Sequence, residues 1–104
     1  ILQNASIAID GEVLIVGVGD ESSMGLGAGA AFVFERSTDG SRRWPQTSKL
    51  TASDGQHGDQ FGLSVDVAGD CILVGAPSVK RAGFKLGAAY VFSRTTASAQ
   101  RWAE

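Results

Sequence analysis

The sequence predicts an all-β protein that contains two copies of one four-stranded antiparallel unit. The chain repeats itself at a fixed interval, and it lacks the sustained 3.6-residue apolar period that an amphipathic helix requires. Fourteen glycines, spread over the expected turns, argue further against helices. With 104 residues, 43% of them hydrophobic, the chain is expected to form one small compact unit.

The repeat becomes visible when the sequence is compared with itself 58 positions later. Residues 29–34, GAAFVF, return as residues 87–92, GAAYVF. The same offset, without a gap, also pairs Ser6 with Ser64, Gly11 with Gly69, Val16 and Gly17 with Val74 and Gly75, Gly25 with Gly83, Arg36 with Arg94, and Arg43 and Trp44 with Arg101 and Trp102. Such self-similarity is typical of repeat architectures.

The first two segments of each copy predict a pair of hairpin strands. SIAID and SVDVA alternate, with Ile7 and Ile9 on one face of the first, which favours a strand with two unlike faces. VLIVG and CILVG are continuous apolar runs, which are typical of strands covered on both faces. Cys71 opens the second run, so we expect a buried thiol.

The last two segments of each copy predict a central and an outer strand. GAAFVFER and GAAYVFSR place small residues at one end, where backbones can approach closely, and aromatic residues at the other. Gly87 is expected to permit such close packing. RRWPQTSKL and RWAE supply the fourth strand, and Pro45 favours an edge position because proline cannot donate to a ladder.

A four-stranded unit that returns at this interval is typical of the blade of a β-propeller, in which each sheet buries a face against the next. The alternative is a sandwich of two packed sheets, but that fold gives no reason for glycines and aromatic residues at matched positions. The sequence therefore favours two propeller blades, residues 1–58 and residues 59–104.

Residues 54–94 resemble the FG-GAP repeat, the blade unit of integrin-alpha-like propellers. The second copy carries both pairs that name the family, Phe61-Gly62 and Gly75-Ala76-Pro77, followed by the aromatic strand and Trp102. The first copy is degenerate, with Gln3-Asn4 and Gly17-Val18-Gly19 in these places, and the second has a truncated outer strand. The resemblance implies two blades of a larger or assembled β-propeller.

Two blades do not close a ring, since closed propellers have about four to eight. We therefore expect either further blades in a longer chain or association of several copies, and an unclosed head-to-tail contact would propagate as a filament. The expected contacts are with other proteins or with copies of this chain through the blade edges.

Metal and catalytic sites are not expected. The weak calcium candidates are Asp20 and Glu21 in one loop and Asp54 and Asp59 in another, and neither has the regular spacing of a calcium loop. His57 lies between the last two, but the glycines around it favour a structural turn. No cofactor is predicted, and calcium stays a minor alternative.

Trp44 and Trp102 are expected to pack the outer strand onto its blade, although stacking on a neighbouring arginine or on a sugar is conceivable. Lys80, Arg81 and Lys85 favour a solvated turn. Asn4 begins an Asn-Ala-Ser sequon, which is a glycosylation site only on a secretory route.

The sequence therefore predicts a non-enzymatic module for adhesion or structural assembly, and the resemblance implies an extracellular or cell-surface location. The alternative function is an accessory domain of a larger secreted enzyme that binds a ligand, a glycan or calcium. A formal net charge of −2 argues against nucleic acid as a partner, and the apolar runs are too short to span a membrane.

Overall fold

A computed structural model of the chain describes residues 5–19, 28–52, 59–81, 84–94 and 102. These residues form strands and turns and contain no helix, which confirms the all-β prediction. The strands are β1 (Ala5–Asp10), β2 (Val13–Val18), β3 (Ala30–Glu35), β4 (Gln46–Leu50), β5 (Ser64–Ala68), β6 (Cys71–Ala76), β7 (Lys80–Arg81), β8 (Phe84–Lys85) and β9 (Ala88–Ser93). No helix among these residues is long and apolar enough to cross a membrane.

Sheet 1 is a four-stranded antiparallel meander in the order β1-β2-β3-β4. Its first turn, at Gly11, adopts a φ of 56°, which glycine reaches at no steric cost. Strand β4 follows Pro45 at the sheet edge, and a register shift between Val33 and Phe34 lies opposite it. This arrangement agrees with the predicted order of the first unit.

Sheet 2 differs from the prediction of a second four-stranded unit. In the described part of the chain it has three antiparallel strands in the order β5-β6-β9. Trp102 is described in the segment of the predicted fourth strand, and no strand is assigned to it. The loop between β6 and β9 instead forms a short ribbon, β7 with β8, which the sequence analysis did not predict.

The hydrophobic core lies between the two sheets, where β5 packs against β1 and β2. In each sheet, the side chains of alternate strand residues point into this core. The largest fully buried side chains are those of Ile15, Val33, Phe61, Ile72 and Val74. The two apolar faces therefore exclude water from each other, which is the main favourable contribution to folding.

The prediction that CILVG is covered on both faces is wrong, and so is the prediction of a buried Cys71 thiol. In β6, Ile72 and Val74 are buried, whereas Cys71 and Leu73 are exposed. Alternate residues of a strand point to opposite faces, and the second face of sheet 2 is not covered by the described residues. The continuous apolar run correctly predicted a strand, but it did not indicate that the described residues leave one face of that strand uncovered.

The predicted boundary between residues 58 and 59 stays a prediction. Sheet 1 ends with β4 at Leu50 and sheet 2 begins with β5 at Ser64, but residues 53–58 lie outside the described part.

Candidate functional site

The Phe61-Gly62 pair lies at the junction of the two sheets. The Phe61 ring is fully buried and meets two rings of β9 edge to face, Tyr90 at 5.3 Å and Phe92 at 5.9 Å between centroids. The Phe61 N–H donates to the Ala28 carbonyl at 2.9 Å, and the Gly62 N–H donates to the Gly75 carbonyl at 3.0 Å. One dipeptide therefore bonds to both sheets.

Glycine is required at this junction because the backbones touch. Gly62 has a φ of 96°, and a Cβ atom there would lie 2.3 Å from the Ala30 carbonyl oxygen. Gly29 forms a parallel bridge with Phe61, and its Cβ would lie 1.9 Å from the Phe61 carbonyl oxygen. Both distances are far below contact, so a side chain at either position would force the sheets apart.

The Gly75-Ala76-Pro77 segment ends β6 and begins the turn that follows. Gly75 is half-buried, Ala76 is fully buried, and Pro77 is exposed just beyond the strand. Val79, after the turn, accepts from the N–H groups of both Leu86 and Gly87, at 3.0 and 3.1 Å. These bonds hold the short ribbon over the end of β6.

Gly87 has a physical role other than the expected close packing. Its φ is 72°, in the region that favours glycine, but a Cβ atom would meet the Pro77 carbonyl oxygen at 3.4 Å, an ordinary contact. Backbone conformation, and not a lack of space, therefore disfavours a side chain at Gly87.

A charged cluster joins the sheets at the end of β9. Arg94, whose side chain is 5% exposed, donates from Nη1 to Glu35 Oε1 of sheet 1 at 2.5 Å and from Nε to Asp70 Oδ1 at 3.1 Å. Thr47 of β4 donates to the other Glu35 oxygen at 2.6 Å. The Arg94 guanidinium carbon also lies 4.3 Å from the centroid of the Trp102 ring.

Two opposing effects act on the Arg94 guanidinium. Burial would lower its pKa, but the hydrogen bonds and negative charges of Glu35 and Asp70 outweigh burial and raise the pKa above its usual value. Arg94 therefore stays charged and links the sheets. The sequence analysis had noted Arg94 only as a repeat match, and its pairing with Glu35 had no sequence signature.

A second carboxylate links the sheets at the first turn of sheet 2. Asp10 Oδ2, at the end of β1, accepts from the Gly69 N–H at 2.7 Å. Ser6 Oγ, on the same strand, donates to the Gly62 carbonyl at 3.1 Å. Sheet 1 therefore presents two carboxylate acceptors, Asp10 and Glu35, and one hydroxyl donor, Ser6, to the second repeat.

The predicted packing role of the tryptophans is not tested. Trp102 is buried, and its ring lies against the Arg94 guanidinium. The adjacent Arg101 lies outside the described residues. The indole Nε1 of Trp102 has no hydrogen-bond partner among the described residues. Trp44, its counterpart, is half-buried.

The sequence candidates that lie outside the described residues are Asn4, Asp20, Glu21, Asp54 and His57. Asp59 is described and 3% exposed, and its carbonyl accepts from the Ser78 N–H at 3.3 Å. Within the described ranges, no three His, Cys, Asp or Glu side chains are grouped so as to hold a metal ion. Calcium binding stays untested.

Each sheet also has a face on which no other sheet of the described residues packs, here called its open face. The open face of sheet 1 is called the leading face and consists of two rows, Ile7, Val16 and Phe32, and Ile9, Leu14 and Phe34. The open face of sheet 2 is called the trailing face and contains Asp66, Leu73 and Val91 in one row and Ala68, Cys71 and Ser93 in the next. Shallow depressions of about 230 and 240 Å³ flank Leu73.

The 58-residue offset relates each open face to a buried one. The leading face corresponds to the buried face of sheet 2, with rows Val65, Val74 and Tyr90, and Val67, Ile72 and Phe92. The trailing face corresponds to the buried face of sheet 1, with Ala8, Ile15 and Val33 in one row and Asp10, Val13 and Glu35 in the next. The sheets therefore pack head to tail, as successive units of a repeat do, and not through equivalent faces.

The fold and this junction define a β-sheet repeat protein. Residues 44–92 match the family model described as FG-GAP repeat, so the chain carries an FG-GAP repeat, as the resemblance implied. The matched segment begins just before β4 and ends in β9. It therefore contains the outer strand of sheet 1, β4, together with strands β5, β6 and most of β9 of sheet 2. No curated protein matches the chain.

Proposed function

We propose that this chain is a non-enzymatic β-propeller module that builds adhesive or structural assemblies by packing blade on blade. The observation that carries the proposal is the head-to-tail junction. Each open face is the repeat counterpart of a face that is buried, so a further blade could cover either one in the same head-to-tail orientation. FG-GAP repeats form a non-catalytic family of β-propeller type.

The exposed side chains of the open faces support this proposal. Ile9 of the leading face is 61% exposed, and Leu73 of the trailing face is 47% exposed. Contiguous apolar surface of this kind marks interaction sites in soluble proteins. An extracellular or cell-surface location is part of the proposal, and it is supported by the usual occurrence of FG-GAP repeats in extracellular proteins.

The alternative of an accessory domain that binds glycan or calcium has no specific support. Among the described residues no metal cluster is present, and the depressions beside Leu73 are shallow and mainly apolar. We therefore develop only the assembly function.

Two variants that each block one face test the proposal. Ile9→Lys places a charge on the leading face, and Leu73→Lys places one on the trailing face; both positions are exposed, so the fold should tolerate them. Each variant alone should be a monomer in analytical ultracentrifugation, because head-to-tail growth needs both faces. An equimolar mixture should form a 1:1 complex through the two unblocked faces.

Three results would contradict the proposal. The mixture could stay monomeric at all concentrations, either variant alone could associate, or the mixture could form particles larger than the 1:1 complex. Circular dichroism of each variant is the control for an intact fold.

A further inference from the structure

The junction between the sheets depends on two carboxylates that come from sheet 1. Asp10 accepts from the Gly69 N–H, and Glu35 accepts from Arg94, which also binds Asp70 of its own repeat. Hydrogen bonds to a charged group are about twice as strong as those between neutral groups, and these two lie at the end of the sheets where the turns meet. The two carboxylates therefore determine which surface can pack at this end of the sheets, and they also stabilise that packing.

The first repeat presents the same two donors on its open side. Gly11 is the counterpart of Gly69, and both adopt a φ of 56°. Arg36 is the counterpart of Arg94, and its N–H donates to the Glu12 carbonyl as the Arg94 N–H donates to that of Asp70.

Within the described part of the chain, the side chain of Arg36 has one carboxylate partner, whereas Arg94 has two. Arg36 Nε lies 3.7 Å from Glu12 Oε2, the carboxylate of its own repeat, and the two side chains are 45% and 65% exposed. In the second repeat, the carboxylate closer to Arg94 is that of Glu35, which belongs to sheet 1. Arg36 is thus placed to receive a carboxylate from a sheet packed on the leading face.

The trailing face of this chain cannot supply those carboxylates. The 58-residue counterpart of Asp10 is Ala68, and the counterpart of Glu35 is Ser93; both are exposed on the trailing face. If one copy packed its trailing face on the leading face of another, Gly11 and Arg36 would meet a methyl group and a hydroxyl. Both open faces carry exposed apolar side chains, but the trailing face lacks the two carboxylates that the buried face of sheet 1 presents.

We infer that the partner of the leading face is a blade with carboxylates at both of these positions, at the end of its first and third strands, and that the chain's own second sheet binds the leading face more weakly than such a blade. This inference rests on the proposed blade-on-blade function. It adds a specificity that shape alone does not provide, since charges at an interface discriminate between partners of the same fold.

The experiment restores the two carboxylates on the trailing face. The face-blocked chain Ile9→Lys receives Ala68→Asp and Ser93→Glu, and its control receives the neutral Ala68→Asn and Ser93→Gln. Each is titrated against the Leu73→Lys chain in analytical ultracentrifugation. The acidic version should bind at least about tenfold more tightly than the neutral version, and the advantage should shrink as salt is raised.

Arg36→Gln in the Leu73→Lys chain should remove most of that advantage. Equal affinities of the acidic and neutral versions would overturn the inference while leaving the proposed function standing. An advantage that Arg36→Gln leaves undiminished would also overturn it, because the carboxylates would then act elsewhere. If no pair forms a complex in any combination, the proposed function and the inference both fail.

Discussion

Phe61 should be the most sensitive apolar position of the junction. Its ring is fully buried between the sheets and contacts Tyr90 and Phe92 edge to face. Replacing a buried phenylalanine with alanine costs about 3–5 kcal/mol through lost transfer free energy and the cavity left behind. The two edge contacts add to the loss, at about 0.5–1.5 kcal/mol each beyond area burial, so we expect the upper half of that range for Phe61→Ala.

Urea denaturation followed by tryptophan fluorescence measures this loss. With a dependence of about 2 kcal/mol per molar urea, a cost of about 4 kcal/mol lowers the midpoint by about 2 M. Phe84→Ala is the matched control, because Phe84 is 69% exposed and its removal should change the free energy of unfolding by less than about 0.5 kcal/mol.

The reasoning would be refuted if Phe61→Ala cost less than about 1.5 kcal/mol, or if Phe84→Ala cost as much. Either result would mean that the Phe61 ring does not join the sheets. Phe61→Leu should lie between the wild type and Phe61→Ala, because it keeps most of the volume and loses the aromatic edge contacts.

Three further predictions concern single polar or backbone positions. Gly62→Ala should lower the free energy of unfolding by more than about 2 kcal/mol in urea denaturation, and Gly69→Ala, with positive φ but open space, by less than about 1.5. Glu35→Gln should cost about 1.5–3 kcal/mol because Arg94 loses a buried charge partner; an unchanged urea midpoint would contradict this. Hydrogen bonds from two serines lower the pKa of Asp39 to about 2, so NMR titration should show that this carboxyl becomes protonated near pH 2. The contribution of Asp39 to stability is therefore present above its usual pKa of 3.8 and is lost as the pH falls through 2. A measured pKa near 3.8 would contradict the loop geometry.

Much of the fold could be predicted from local pattern. The alternation of residues 6–10 and the apolar runs at 13–17 and 71–75 correspond to β1, β2 and β6, since side-chain alternation is a property of the strand itself. The glycine-aromatic segments correspond to β3 and β9 in the same way. The ribbon of β7 and β8 could not be predicted, because Lys80–Arg81 and Phe84–Lys85 are too short to carry a pattern.

The candidate site could be predicted only in part. The Phe61-Gly62 and Gly75-Ala76-Pro77 motifs are visible in the sequence, and the family match includes both. The link from Glu35 to Arg94 joins residues 59 positions apart, and neither residue belongs to those motifs. Cys71 was misjudged for a similar reason: a strand pattern states which residues share a face, but not whether another layer covers that face.

The sequence by itself determined that the chain is a tandem repeat of β-strand units, because strand periodicity and turn glycines act between near neighbours. The tertiary structure alone decided which face of each unit is buried, how Asp10 and Glu35 reach the second repeat, and that each open face is the counterpart of a buried one. Those facts depend on the packing of one sheet against another. Contacts between residues that are far apart in the sequence produce no local sequence pattern from which they could be predicted.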